Sequence, residues 1–164
     1  MPDKKTIQAA KRDEREGKSP STQAGEFVRK EIDNIREGKH GARNTKQAIA
    51  IGLSEARRAG VKLNQPKKGT VSEKTRKNAL RDTEKGQRKE PVSPTRSQAR
   101  VKALQKEGTE AASPKALSRQ ASSAAKKRSA SERSASARQA VETKGPRERS
   151  ETAKKAARTR AGRK

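Results

Sequence analysis

Large apolar side chains all but stop at Leu63. Ile7, Phe27, Val28, Ile32, Ile35, Ile49, Ile51, Leu53, Val61 and Leu63 lie in residues 1–63, while the 101 residues that follow hold only Val71, Leu80, Val92, Val101, Leu104, Leu117 and Val141. Burial of such groups is what offsets the entropy of ordering a backbone, so this asymmetry limits where a core can form. Charge runs the other way. Residues 1–63 carry 15 basic and 9 acidic residues, residues 64–164 carry 29 and 10, and the formal net charge of the chain is +25. Hydrophobic residues make up 26% of the sequence and Phe27 is its one aromatic. Low apolar content with high net charge is the composition of segments that stay unfolded alone. The expected fold class is therefore mostly α with extensive disorder: a small, marginal helical head followed by a basic tail of short potential helices.

Three segments follow. Residues 1–18 read as an N-terminal helix or arm of mixed charge, running from about Thr6 to Glu16 and stopping at Gly17. Residues 19–63 read as a helical hairpin. Its first helix opens at Ser21 or Thr22, and Ala24, Phe27, Val28, Ile32 and Ile35 share one face at three- and four-residue steps until Gly38 closes it. Its second opens at Asn44 or Thr45, buries Ala48, Ile49, Gly52, Leu53 and Ala56, and stops at Gly60, with Val61 where the apolar contact of a Schellman cap falls. The burial available falls short of the ordering cost, which leaves self-association of the head open.

Residues 64–164 form the basic tail. Ser72, Ser93, Ser113, Ser131 and Ser150 are spaced by 21, 20, 18 and 19 residues, and each is followed by Glu or Pro. A capping serine followed by Pro or Glu starts helices. The spacing predicts about five degenerate units, each a short basic helix that is coil when free and forms when phosphate neutralises it.

The chemistry of enzymes is missing, and no activity, cofactor or metal is expected. His40 is the only histidine and there is no cysteine, so neither a zinc-type ligand set nor an imidazole-rich site can be assembled. Phosphate-loop and dinucleotide glycine fingerprints are absent, and the carboxylates lie among Lys and Arg as solvated ion pairs. No apolar run is long enough to span a membrane or to act as a secretory leader, which makes an intracellular protein the expectation.

A sequence pI of about 11.1 calls for an anionic partner. The basic segments are filled with Ala, Ser, Thr and Gln, which insert poorly into lipid, so nucleic acid is expected and membrane is not. Stacking aromatics are missing, and Gly38 and Thr45 stand too far apart for the turn of a helix-turn-helix, so contact should be with phosphate rather than base. The loop from Gly38 to Arg43 looks most like a site, because it precedes a helix N-terminus, has two glycines that free backbone amides, and supplies Lys39 and Arg43. Arg57 and Arg58 end the following helix. Ser93-Pro94-Thr95-Arg96 and Ser113-Pro114-Lys115 look like the Ser-Pro-basic turns of histone tails, which places Arg96 and Lys115 on phosphate. Lys126, Lys127, Arg128, Lys154, Lys155, Arg158 and Arg160 complete the expected phosphate contacts.

The run Lys46-Gln47-Ala48-Ile49-Ala50-Ile51-Gly52-Leu53-Ser54-Glu55-Ala56-Arg57 resembles the core of a bacterial family of small basic proteins, a domain of unknown function, whose pattern residues 19–63 fit. The resemblance implies a bacterial, cytoplasmic protein and brings no established activity. The tail is similar to histone tails in composition only. The functional expectation is sequence-nonspecific binding of nucleic acid, DNA favoured over RNA, at the nucleoid or on a plasmid. Alternatives are an RNA-, ribosome- or polyphosphate-associated basic protein and a disordered interaction or stress protein.

Overall fold

A computed structural model of the chain describes residues 3–88, 93–143 and 145–162. These residues form α1 (Lys4–Arg15), α2 (Pro20–Arg36), α3 (Thr45–Arg58), α4 (Glu73–Arg88), α5 (Pro94–Gln105), a 3-10 turn (Glu110–Ala112), α6 (Pro114–Lys126), α7 (Ala130–Thr143) and α8 (Pro146–Ala161). The α character matches the expectation. The extensive disorder does not: helices run through the basic segment almost without pause. Its Ala, Arg, Lys and Gln are strong helix formers that need little side-chain ordering, and hydroxyls cap the starts of α4, α6 and α7.

Local chemistry sets the helix ends. Ser19 accepts from the Thr22 amide (3.4 Å) and Asn44 from the Gln47 amide (2.9 Å), so Ser19 rather than Ser21 or Thr22 caps α2, with Pro20 at its first position. Gly17, Gly38 and Gly60 take left-handed φ of 71°, 71° and 95°. Each donates back to the residue three before it, and the next residue donates five back, which is the Schellman arrangement. In the basic segment, Ser72 and Ser113 cap α4 and α6 through the Thr75 and Ala116 amides (both 3.2 Å), and Ser93 is the N-cap residue of α5. The other two expected starts are displaced. α7 begins before Ser131, because Ser129 and Glu132 form a reciprocal capping box. α8 begins at Pro146 after Gly145, not at Ser150.

Two compact units result, one ending at Gln120 and the other starting at Ala121. In the first, α2 is central and packs against both α1 and α3. One apolar cluster joins Ala10, Ala24, Phe27, Ala56 and Val61. The other joins Ile32, Ile35, Ala42 and Ala48 to Ala111 and Ala112 from the middle of the basic segment. α3 can approach α2 closely because Gly52 has no Cβ: one there would lie 2.7 Å from the Cα of Val28. Residues beyond Asn64 therefore share in the first core. They do so through small side chains, Ala79, Ala111 and Ala112, together with Leu104. In the second unit every side chain with an assigned burial is exposed.

Candidate nucleic-acid interface

The Gly38–Arg43 loop differs from the expected phosphate cradle. Its amides, that of His40 apart, are already used. Gly38 and Lys39 donate to the end of α2, Gly41 donates to the Leu104 carbonyl (2.9 Å), Ala42 to the Gly108 carbonyl (3.1 Å), and Arg43 to the side chain of Gln47 (2.9 Å). Gly41 is needed for close approach: a Cβ there would fall 1.9 Å from the Glu107 carbonyl oxygen. Around this contact Thr45 Oγ1 donates to the Ala111 carbonyl (2.7 Å) and Arg36 Nε to the Ala112 carbonyl (3.0 Å). The loop is thus a seat for residues 104–112.

The expected phosphate contacts fall into two groups. Within α2, α3 and their loop, several cations are engaged internally. Lys39 Nζ lies 2.6 Å from Glu37 and 3.3 Å from Asn34 Oδ1, and that pairing holds the Lys39 ammonium above its ordinary range. Arg57 is buried, donates to the Asn64 carbonyl (3.4 Å), and is pushed below the usual guanidinium value by that burial. Arg58 donates to Asp82 of α4 through Nε (2.8 Å), with its terminal nitrogen at ion-pair distance (2.7 Å), and Ser54 adds a second hydrogen bond to the same carboxylate (2.6 Å). Arg57 and Arg58 thus serve the α3–α4 junction. Of the four expected contacts here, Lys39 and Arg43 are exposed, and Arg43 alone makes no side-chain ion pair or hydrogen bond among the described residues.

Most of the second group, the expected contacts beyond Asn64, is free of such partners. Arg96, Lys115, Lys126, Lys127, Arg128, Lys155, Arg158 and Arg160 are exposed, and their side chains make no ion pair or hydrogen bond among the described residues. Lys154 is exposed and pairs with Glu151 (3.2 Å). Five further cations escaped the sequence reading: Lys74, Lys77, Arg81, Lys85 and Arg88, all on α4. Their signal was available as a three-, four- and seven-residue recurrence.

The titratable group most altered by the fold lies elsewhere. Glu31, on the inner face of α2, is 2% exposed, and its Oε1 has no partner among the described residues. Burial pushes its carboxyl up to about 7; the His40 ring, 3.5 Å away, opposes the shift and Glu55 on α3 adds to it. Glu55 is likewise raised, chiefly by burial. Among the described residues no group of three His, Asp or Glu side chains is placed to hold a metal, and no helix is long and apolar enough to cross a membrane.

No curated protein and no solved structure matches the chain. Residues 4–69, which span α1 to α3 and most of the following loop, match a family described as of unknown function, DUF6496.

Proposed function

We propose that this chain binds nucleic acid without sequence preference, by contact with phosphates, as a binding protein rather than an enzyme, with DNA favoured over RNA. One observation carries the reading. In the first unit, neighbouring carboxylates, some buried and some on the surface, pair with Arg12, Lys18, Arg29, Arg36, Lys39 and Arg58. The cations of α6 and α8 and the turn after α6 are mostly left to solvent. Unpaired cations on exposed helices, with no aromatic surface beside them, suit a phosphate backbone better than base edges. A bacterial nucleoid or plasmid is the setting this reading favours.

Salt titration tests it. The logarithm of affinity for duplex DNA should fall linearly with that of salt concentration, with a slope near −0.9 for each phosphate engaged. Affinity indifferent to salt would overturn the proposal. Recovery of RNA rather than DNA after nuclease-resolved purification from cells would replace DNA as the partner.

A further inference from the structure

We infer that α4 carries an ordered binding site for duplex nucleic acid, a straight cationic row held in place by Asp82. At about 100° per residue, Lys74, Lys77, Arg81, Lys85 and Arg88 fall within about 80° of one helical face. The residues that meet α3, Ala79, Asp82 and Gly86, centre about 130° away from that face. The row is therefore directed away from the core by the same contacts that fix the helix. Lys74, Lys77, Arg81 and Lys85 make no ion pair or side-chain hydrogen bond among the described residues. Of the nearby acids, Glu73 is tied to Arg76 (3.1 Å) and Asp82 to Arg58 and Ser54. Glu84, at the edge of the row, is exposed.

Rigidity decides which polyanion fits. Asp82 receives two hydrogen bonds from α3 and an ion-pair contact from the Arg58 terminal nitrogen, and Gly86 lies so close to α3 that a Cβ would stand 2.2 Å from the Arg57 carbonyl oxygen. From Lys74 to Arg88 the row is about 21 Å long at 1.5 Å per residue. Along a duplex axis that length passes about six phosphates of each strand. A fixed row gains from phosphates that are themselves fixed, because neither partner then loses freedom on binding. A flexible single strand adapts to any cationic surface, and there is no aromatic platform here to hold its bases.

This inference rests on the proposed phosphate binding, and two substitutions in the full-length protein separate them. Asp82→Ala and Glu84→Gln each raise the net charge by one. Glu84→Gln should strengthen binding to a short random-sequence DNA duplex about two- to threefold, the gain of one cationic unit. Asp82→Ala should weaken it at least about threefold, because freeing α4 from α3 restores the entropy cost of alignment. The loss caused by Asp82→Ala should not appear with a single strand of the same length. Should Asp82→Ala lose helical circular dichroism, Ser54→Ala, which removes one bond and no charge, takes its place and should weaken only duplex binding. Replacing Lys74, Lys77, Arg81 and Lys85 with Gln should reduce the salt slope by about 3–4. If the parent binds no duplex, the proposed function itself fails. If the parent binds and Asp82→Ala strengthens binding as Glu84→Gln does, or if Ser54→Ala leaves duplex binding unchanged in that circumstance, the ordered row is overturned and only diffuse charge remains.

Discussion

Glu31 makes the stability of the first unit depend on pH in a direction opposite to that of most carboxylates. Its folded-state value, about 7, lies above the ordinary 4.5. The native state therefore holds a proton that the unfolded chain has already released. The stabilisation is complete below pH 4.5 and is lost as pH rises through about 7. A difference of that size amounts to about 3 kcal/mol at 1.36 kcal/mol per pH unit. Glu31→Gln removes the titration and leaves a neutral side chain of nearly the same shape. Some constant cost of burying the amide is expected, and it cancels when the two pH profiles are subtracted. Thermal unfolding followed by far-UV circular dichroism across this range is the assay. The variant should gain on the parent as pH rises, by about 10 °C in Tm at the alkaline end, since 1 kcal/mol moves a unit of this size by roughly 3–4 °C. A difference that stays constant with pH, or one that favours the parent at high pH, refutes the reasoning about Glu31.

Two further outcomes probe how the chain is held together. Gly41→Ala should cost about 2–4 kcal/mol, because its Cβ meets backbone that cannot yield cheaply, whereas Gly25→Ala, whose Cβ meets nothing within 4 Å, should add about 0.5–1 kcal/mol; equal effects in chemical denaturation would show that residues 104–108 are not seated on the loop. Ser129→Ala removes half of the capping box of α7 and should cost the helix about 1 kcal/mol, seen as faster amide exchange at Glu132 and Arg133; unchanged exchange would mean that Ser131 or another group starts the helix.

Much of the backbone plan was legible residue by residue. Glycines 17, 38 and 60 end α1, α2 and α3 because a left-handed residue is cheap only without a Cβ. The apolar face of α2 follows from the spacing of Ala24, Phe27, Ile32 and Ile35, all buried. The starts of α4, α5 and α6 follow from Ser72, Ser93 and Ser113. Such features depend on the nearest few residues, so sequence alone determines them. Tertiary structure decided the rest. That Ala111 and Ala112 complete a core begun by Ile32 and Ile35 could not be read from large apolar residues, because alanines contribute burial only where another backbone comes close. That the Gly41 and Ala42 amides serve Leu104 and Gly108 rather than a phosphate depends on a contact more than sixty residues away. The same is true of the cations: Arg57 and Arg58 look like exposed charge in sequence but turn to Asn64 and Asp82, whereas on α4 Lys74, Lys77 and Arg81 face solvent, with Lys85 half-buried, because Ala79, Asp82 and Gly86 commit the opposite side to α3. Sequence fixes how many charges a helix carries and at what angles; only packing decides which of those angles meets water.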